Sequence, residues 1–197
     1  MQSPIYWHPG LYRMAMRMSY GKEFLTRYER LAAYIPEGSE VFEVCMGDAF
    51  FYRNYLSKKN IRYSCGDINP VFVNAAKRKN IDGRLLNVFT DSIPSAEIIL
   101  MHASLSYFIP QESSIVMKLL ESAKRQVIIS ESIHNLSNSS SGMKSAIGTF
   151  LSKAKSGQSK IKFTSASLKK SFEAFSEHIE VWDEKPGQRE TIIVLKP

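Results

Sequence analysis

Two cysteines in 197 residues are too few for a disulfide framework, and both are expected to be reduced thiols. No apolar run approaches the ~20 residues of a membrane span. The opening residues MQSPIYWHPG lack a basic segment followed by an apolar one, so no export signal and a cytoplasmic location are expected. The four histidines are scattered and the cysteines stand on separate predicted strands. No pair has the short spacing of a zinc site, so no metal is expected. Internal repeats are absent, and no linker is long enough to separate domains. A single domain over 1–197 is expected, with an N-terminal helical cap at 1–38 and a sheet core at 39–197.

Acid is scarce in one region. Residues 118–170 hold ten Lys/Arg against Glu121 and Glu131, a net +8 in a chain whose total is +7. Such a stretch suits nucleic acid, anionic headgroups or a phosphorylated substrate, or simply a solvated surface. The repeated Arg-aromatic pattern suited to single-stranded RNA is missing, which makes nucleic acid the less favoured partner.

What is present is periodicity. Short apolar runs at 41–45, 61–66, 84–88, 97–102 and 126–131 alternate with helical spacing at 49–58, 70–79 and 111–124. Strands alternating with helices predict a Rossmann-like α/β fold, a mostly parallel sheet with helices on both faces. The end departs from this pattern. After a predicted helix at 167–175, HIEVWD (178–183) and RETIIVL (189–195) flank the Pro-Gly turn EKPGQ and form an antiparallel hairpin. Residues 10–34 read as two amphipathic helices broken near Tyr20-Gly21. NLSNSSSG (135–142) reads as a loop.

The first strand runs into Glu43-Val44-Cys45-Met46-Gly47-Asp48-Ala49, a strand-to-helix turn in which backbone N–H groups can approach a ligand. About twenty residues on, the second strand ends in Gly66-Asp67-Ile68-Asn69-Pro70, where an acid suits the two hydroxyls of a ribose. Together these describe a nucleoside-type cofactor at the carboxyl edge of an open sheet. The alternative is a plain tight turn at Gly47 and a helix cap at Asp67.

VFEVCMGDAFF, SCGDINPVFVNAAKRK, LLNVFTDSIPSAEIILMHASLSYF, QVIISESI and IEVWDEKPGQRETIIVLKP occur in that order. In this the chain resembles the class I S-adenosylmethionine-dependent methyltransferases over residues 31–197. The resemblance implies a seven-stranded sheet of order 3-2-1-4-5-7-6. It implies S-adenosyl-L-methionine as cofactor and S-adenosyl-L-homocysteine as product. The implied cofactor contacts are Glu43, Cys45, Gly47, Asp48, Asp67, Ile68, Asn87, Val88 and His102.

Two departures stand out. Cys45 and Ala49 occupy the positions of the family's first and third glycines. Cys45→Gly is therefore expected to keep or improve cofactor affinity while loosening the strand end. Asn87 stands where many members place an acid or amide near the adenine amine, and its oxygen can accept there. The competing nicotinamide fingerprint G-x-G-x-x-G would need glycine at Phe50, where a large ring hinders helix–strand packing.

On the substrate side, His102 closes the fourth strand and His134 follows the fifth, and both are candidate general bases. Many methyltransferases work by orientation alone, and then no base is needed. Asp91, Glu97 and Tyr107 are candidate pocket-side residues, Asp91 being better suited to capping a turn. The cluster Tyr6-Trp7-His8-Pro9 is expected to fold back, either as a lid or as core. The sum is methyl transfer to a small, anionic acceptor. An RNA methyltransferase and a non-catalytic binding scaffold are the alternatives.

Overall fold

Alternating side chains of the central strands divide between two apolar layers. Phe42, Val44, Ile99, Met101, Val127 and Ile129 face one layer; Val41, Ile98, Leu100 and Ile128 face the other. Both faces are covered, so these strands read as near-continuous apolar runs. The computed structural model describes residues 4–133 and 162–197. Its sheet comprises β1 (Glu40–Val44), β2 (Arg62–Asp67), β3 (Asp82–Leu85), β4 (Ala96–His102), β5 (Ala123–Ser132), β6 (Ile179–Glu184) and β7 (Glu190–Leu195). The order is β3-β2-β1-β4-β5-β7-β6, as the resemblance implies. The first five strands pair in parallel, and β7 runs antiparallel between β5 and β6.

Among the described residues the α-helices are α1 (Pro9–Tyr20), α2 (Glu23–Ala33), α3 (Pro70–Lys77), α4 (Glu112–Ser122) and α5 (Ser165–Ser171). Gly21 separates α1 from α2 with φ +54° while its N–H bonds Arg17 O, so the predicted break falls where glycine permits it. Asn69 caps α3 by accepting from Val71 N. The N-terminal pair packs on the sheet through Tyr20, Phe24, Tyr28 and Leu31.

Three expected elements differ. The helix over 49–58 is reduced to a π-helical turn at Tyr52–Leu56, with Ser57 N bonding Tyr52 O at 2.8 Å. Aromatics crowd this turn: Phe50 and Phe51 pack on Tyr28, while Tyr52 stacks on Tyr63 at 4.0 Å. The third strand, expected at 84–88, is Asp82–Leu85. Asp91 Oδ2 captures the N–H of Asn87 and pulls it out of the ladder, while Leu86 and Val88 stay buried. The helix over 167–175 divides into α5 and a 3₁₀ turn at Glu173–His178. His134, the 135–142 loop and Lys144, Lys153, Lys155 and Lys160 lie outside the described residues.

Candidate functional site

At the carboxyl edge, β1 leaves the sheet through a left-handed turn. Cys45, Gly47 and Ala49 have φ of +57°, +58° and +53°. Only Gly47 reaches this region without cost; each of the others carries roughly 1–2 kcal/mol of backbone strain. The positions matched to family glycines are thus the ones whose backbone asks for glycine. The turn points its amides toward β2. Gly47 N donates to Asp67 Oδ2 at 2.9 Å, and Asn69 N donates to Oδ1 at 2.8 Å. Burial pushes the Asp67 carboxyl up to about 6, against the lowering effect of these two bonds. Beyond it, Ile68 is 56% exposed, an open apolar face at the strand tip.

The other expected contacts sit differently. Glu43 is buried below the turn and accepts from Tyr63 Oη, and burial pushes its carboxyl up to about 8. The Cys45 thiol is pushed far up by burial and stays protonated. Asp48 is engaged by Arg13 of α1, with Nε at 2.7 Å and a terminal nitrogen at 2.6 Å. Asn87 Oδ1 accepts from Phe89 N at 3.1 Å, which leaves its second lone pair for a further donor; Val88 is buried. Asp91 caps that turn, accepting from Asn87 N and the Thr90 hydroxyl. Glu97 belongs to the opposite end of the sheet, where it accepts from Glu40 N, because it begins β4.

His102 ends β4 as expected, yet its ring is not offered to the edge. It packs against Tyr28 and Phe51 with Nε2 3.5 Å from Glu190 Oε2. Burial lowers its pKa below the usual range, which keeps it neutral at pH 7. Around it lies a cluster that single-residue reading did not find. Arg27 contacts Glu190 at 3.3 Å and donates to Tyr28 Oη at 2.6 Å, and Ser130 Oγ donates to Glu190. Apart from the neighbours Arg27 and Tyr28, these residues are distant in sequence, and no local pattern announces them.

The turn also has a cover. Tyr12 of α1 lies over Gly47, where an added Cβ would stand 3.2 Å from its ring. Tyr6 joins it: its carbonyl accepts from Asn69 Nδ2 at 3.0 Å and its hydroxyl meets Tyr107 Oη at 3.2 Å. The aromatic N-terminus therefore splits, Tyr6 packing inward while Trp7 is 62% exposed and His8 caps α1. Helical period alone puts Tyr12 on an inward face. It cannot say that this face meets the β1 turn.

The described members of the basic stretch are spread over separate places. Lys124 and Arg125 reach Glu40 and Ser39 at the amino edge, Lys118 caps carbonyls of the 88–91 turn, and Lys169 pairs with Glu184. A cavity of about 610 Å³ opens at the carboxyl end of β5 and β6, lined by Trp182, Glu184, Lys169, Lys185 and Gln188 among others. Among the described residues no three His, Cys, Asp or Glu side chains converge as a metal site would require.

No family model matches the chain, and neither does any curated protein. Solved structures do. Human N-acetylserotonin methyltransferase in complex with S-adenosylmethionine aligns over 98% of this chain at 15% identity and TM-score 0.65. The magnesium protoporphyrin IX methyltransferase of Synechocystis PCC 6803, with bound S-adenosylhomocysteine, aligns over 98% at 12% identity and TM-score 0.65. An S-adenosylmethionine-dependent methyltransferase from Aquifex aeolicus aligns over 95% at 14% identity and TM-score 0.63. This chain spans 57% of the human protein's length, and 95% and 97% of the other two.

Proposed function

We propose that this chain, which has the class I S-adenosylmethionine-dependent methyltransferase fold, transfers a methyl group from that cofactor to a small acceptor. The observation that carries the reading is the Asp67 carboxylate, bonded to the Gly47 amide of a left-handed turn across the carboxyl edge of β1 and β2. The residues present fit the cofactor. Asp67 would accept from the ribose hydroxyls, Ile68 would lie against the adenine, and the amides of the 45–49 turn would face the methionine portion. When bound, the cofactor supplies an electrophilic methyl group on a sulfonium.

The rest falls to this chain's own side chains. Tyr12 and Tyr6 exclude water from the turn. His102, neutral and directed at Glu190, acts as a positioning residue, so orientation carries the transfer. The cavity at the hairpin is of a size that suits a small molecule, and its two lysines against one glutamate favour an anionic acceptor.

Calorimetry with S-adenosylhomocysteine tests the reading. Asp67→Ala should weaken binding about 10- to 150-fold through lost charge-assisted hydrogen bonds. With a carboxyl that titrates near 6, wild-type affinity should fall as pH drops below about 6, because the protonated group accepts more weakly. Asp67→Asn should remove that limb. Absence of binding by the wild type, or unchanged affinity in a folded Asp67→Ala protein, overturns the assignment.

A further inference from the structure

The two faces of α1 differ in chemistry. Inward, it presents Tyr12, Ala15, Met16 and Tyr20 to the turn and the core. Outward, Trp7, Leu11, Met14 and Met18 are 62%, 46%, 56% and 55% exposed. The three- and four-residue spacing of Leu11, Met14 and Met18 aligns them along one side of α1, and Trp7 stands exposed in the turn that precedes its cap His8. Scattered exposed apolar residues are ordinary; a stripe of three large ones on one helix, with an exposed tryptophan just before it, marks a contact surface.

The charge beside the stripe is of one sign. Helix α1 contains Arg13 and Arg17 and no acid, and Lys22 follows it. Arg13 is engaged by Asp48. Arg17 and Lys22 are exposed and have no ion pair among the described residues; the Arg17 guanidinium lies over the Phe24 ring at 5.6 Å, and Lys22 follows the break at Gly21. We propose that this face docks on an anionic lipid surface, the apolar stripe entering the headgroup boundary while Arg17 and Lys22 meet lipid phosphates. Tryptophan and flexible methionines suit a fluid apolar layer, and basic flanks are what hold an interfacial helix there. No helix among the described residues is long and apolar enough to cross a membrane, so the chain would lie on the surface.

A second copy of the chain fits less well. The four side chains expose on the order of 500 Å², short of the roughly 800 Å² per partner that a stable interface buries. Pairing α1 with itself would also set arginine near arginine without an acid to relieve them. The docking face is the outer side of a helix whose inner side covers the turn, so it stands apart from the cofactor reading.

Flotation of the full chain decides the matter, using vesicles of phosphatidylcholine alone and of equal parts phosphatidylcholine and phosphatidylglycerol. Binding to the anionic vesicles should be at least roughly tenfold tighter than to the neutral ones. Met14→Glu/Met18→Glu should abolish it while leaving circular dichroism and S-adenosylhomocysteine affinity without vesicles unchanged. Arg17→Glu/Lys22→Glu should reduce it to the neutral-vesicle level. Should the first variant fail to fold, Met14→Ser/Met18→Ser takes its place. Three outcomes overturn the proposal: no binding by a folded wild type, undiminished binding by the folded variants, or a wild-type dimer in light scattering that the methionine variants convert to monomer.

Discussion

Cys45 and Ala49 show how a residue can depart from a motif while its backbone obeys it. At φ near +55° the Cβ of any L-residue crowds the backbone, and glycine alone is relaxed there. The loosening that glycine brings to an ordinary strand end therefore does not apply at position 45. Comparing two truncations removes the thiol from the balance: Cys45→Gly should be more stable than Cys45→Ala by ~1 kcal/mol. In a chain of this length that is a difference of about 2–4 °C in melting temperature. Equal melting temperatures would mean that the turn relaxes out of the left-handed region. Asp67 belongs to the same scale. Its carboxylate fastens the turn to β2, and its place at the tip of that strand is where the sequence put it. That Gly47 and Asn69 amides already bond it was not legible, because backbone direction at a turn is set by the fold.

At the scale of elements, α1 is a cover latched by one ion pair. Arg13 holds Asp48, and Tyr12 lies over Gly47, so a ligand reaching the turn must displace or accommodate that helix. Arg13 is 29% exposed on its side chain and Asp48 5%, and a half-buried charge-assisted pair of this kind contributes more than a surface one. Arg13→Ala should raise the association rate of S-adenosylhomocysteine in stopped flow threefold or more, with the fold intact. An unchanged rate would show that α1 does not gate the turn. The sequence predicted both helices and their break at Gly21, because period and glycine are local signals. The π-helical turn at Tyr52–Leu56 was not predicted, since it arises where four aromatics meet partners on α2 and β2.

For the whole molecule, the join between the N-terminal helices and the sheet rests partly on buried charge. Arg27 stacks on Tyr20 at 3.6 Å, contacts Glu190 at the start of β7, and so ties α2 to the last strand of the chain. Arg27→Ala would leave Glu190 buried without its cation, a loss of about 3–5 kcal/mol. Thermal unfolding should register it as a fall of roughly 6–20 °C. Arg27→Met/Glu190→Gln should recover most of the difference, because no uncompensated charge remains. A small shift in the single variant would mean that water reaches the cluster. Glu190 is held well below the usual carboxylate range: the Arg27 guanidinium and the Ser130 hydroxyl favour its ionised form against burial. Its contribution is therefore present above the ordinary carboxylate pKa and is lost as pH falls through the lowered value.

The alternation of strands and helices, the terminal antiparallel hairpin, the β1 turn and the acid at the tip of β2 were legible in the residues themselves. Each rests on period, on turn residues or on a short spacing, and these act between neighbours along the chain. The strand order does not follow from such signals; it came from the family resemblance, and the sheet has it. What only the tertiary structure decided depends on contacts between distant segments. Tyr12 comes to lie on Gly47, Arg13 finds Asp48, and His102 turns to Glu190 instead of the edge. The basic count over 118–170 left open a ligand-attracting surface or a plain solvated one; of its described members, Lys124 and Arg125 sit at the amino edge and Lys169 pairs with Glu184. Net charge is a sum along the chain, whereas a surface potential depends on where folding puts each charge and what it pairs with.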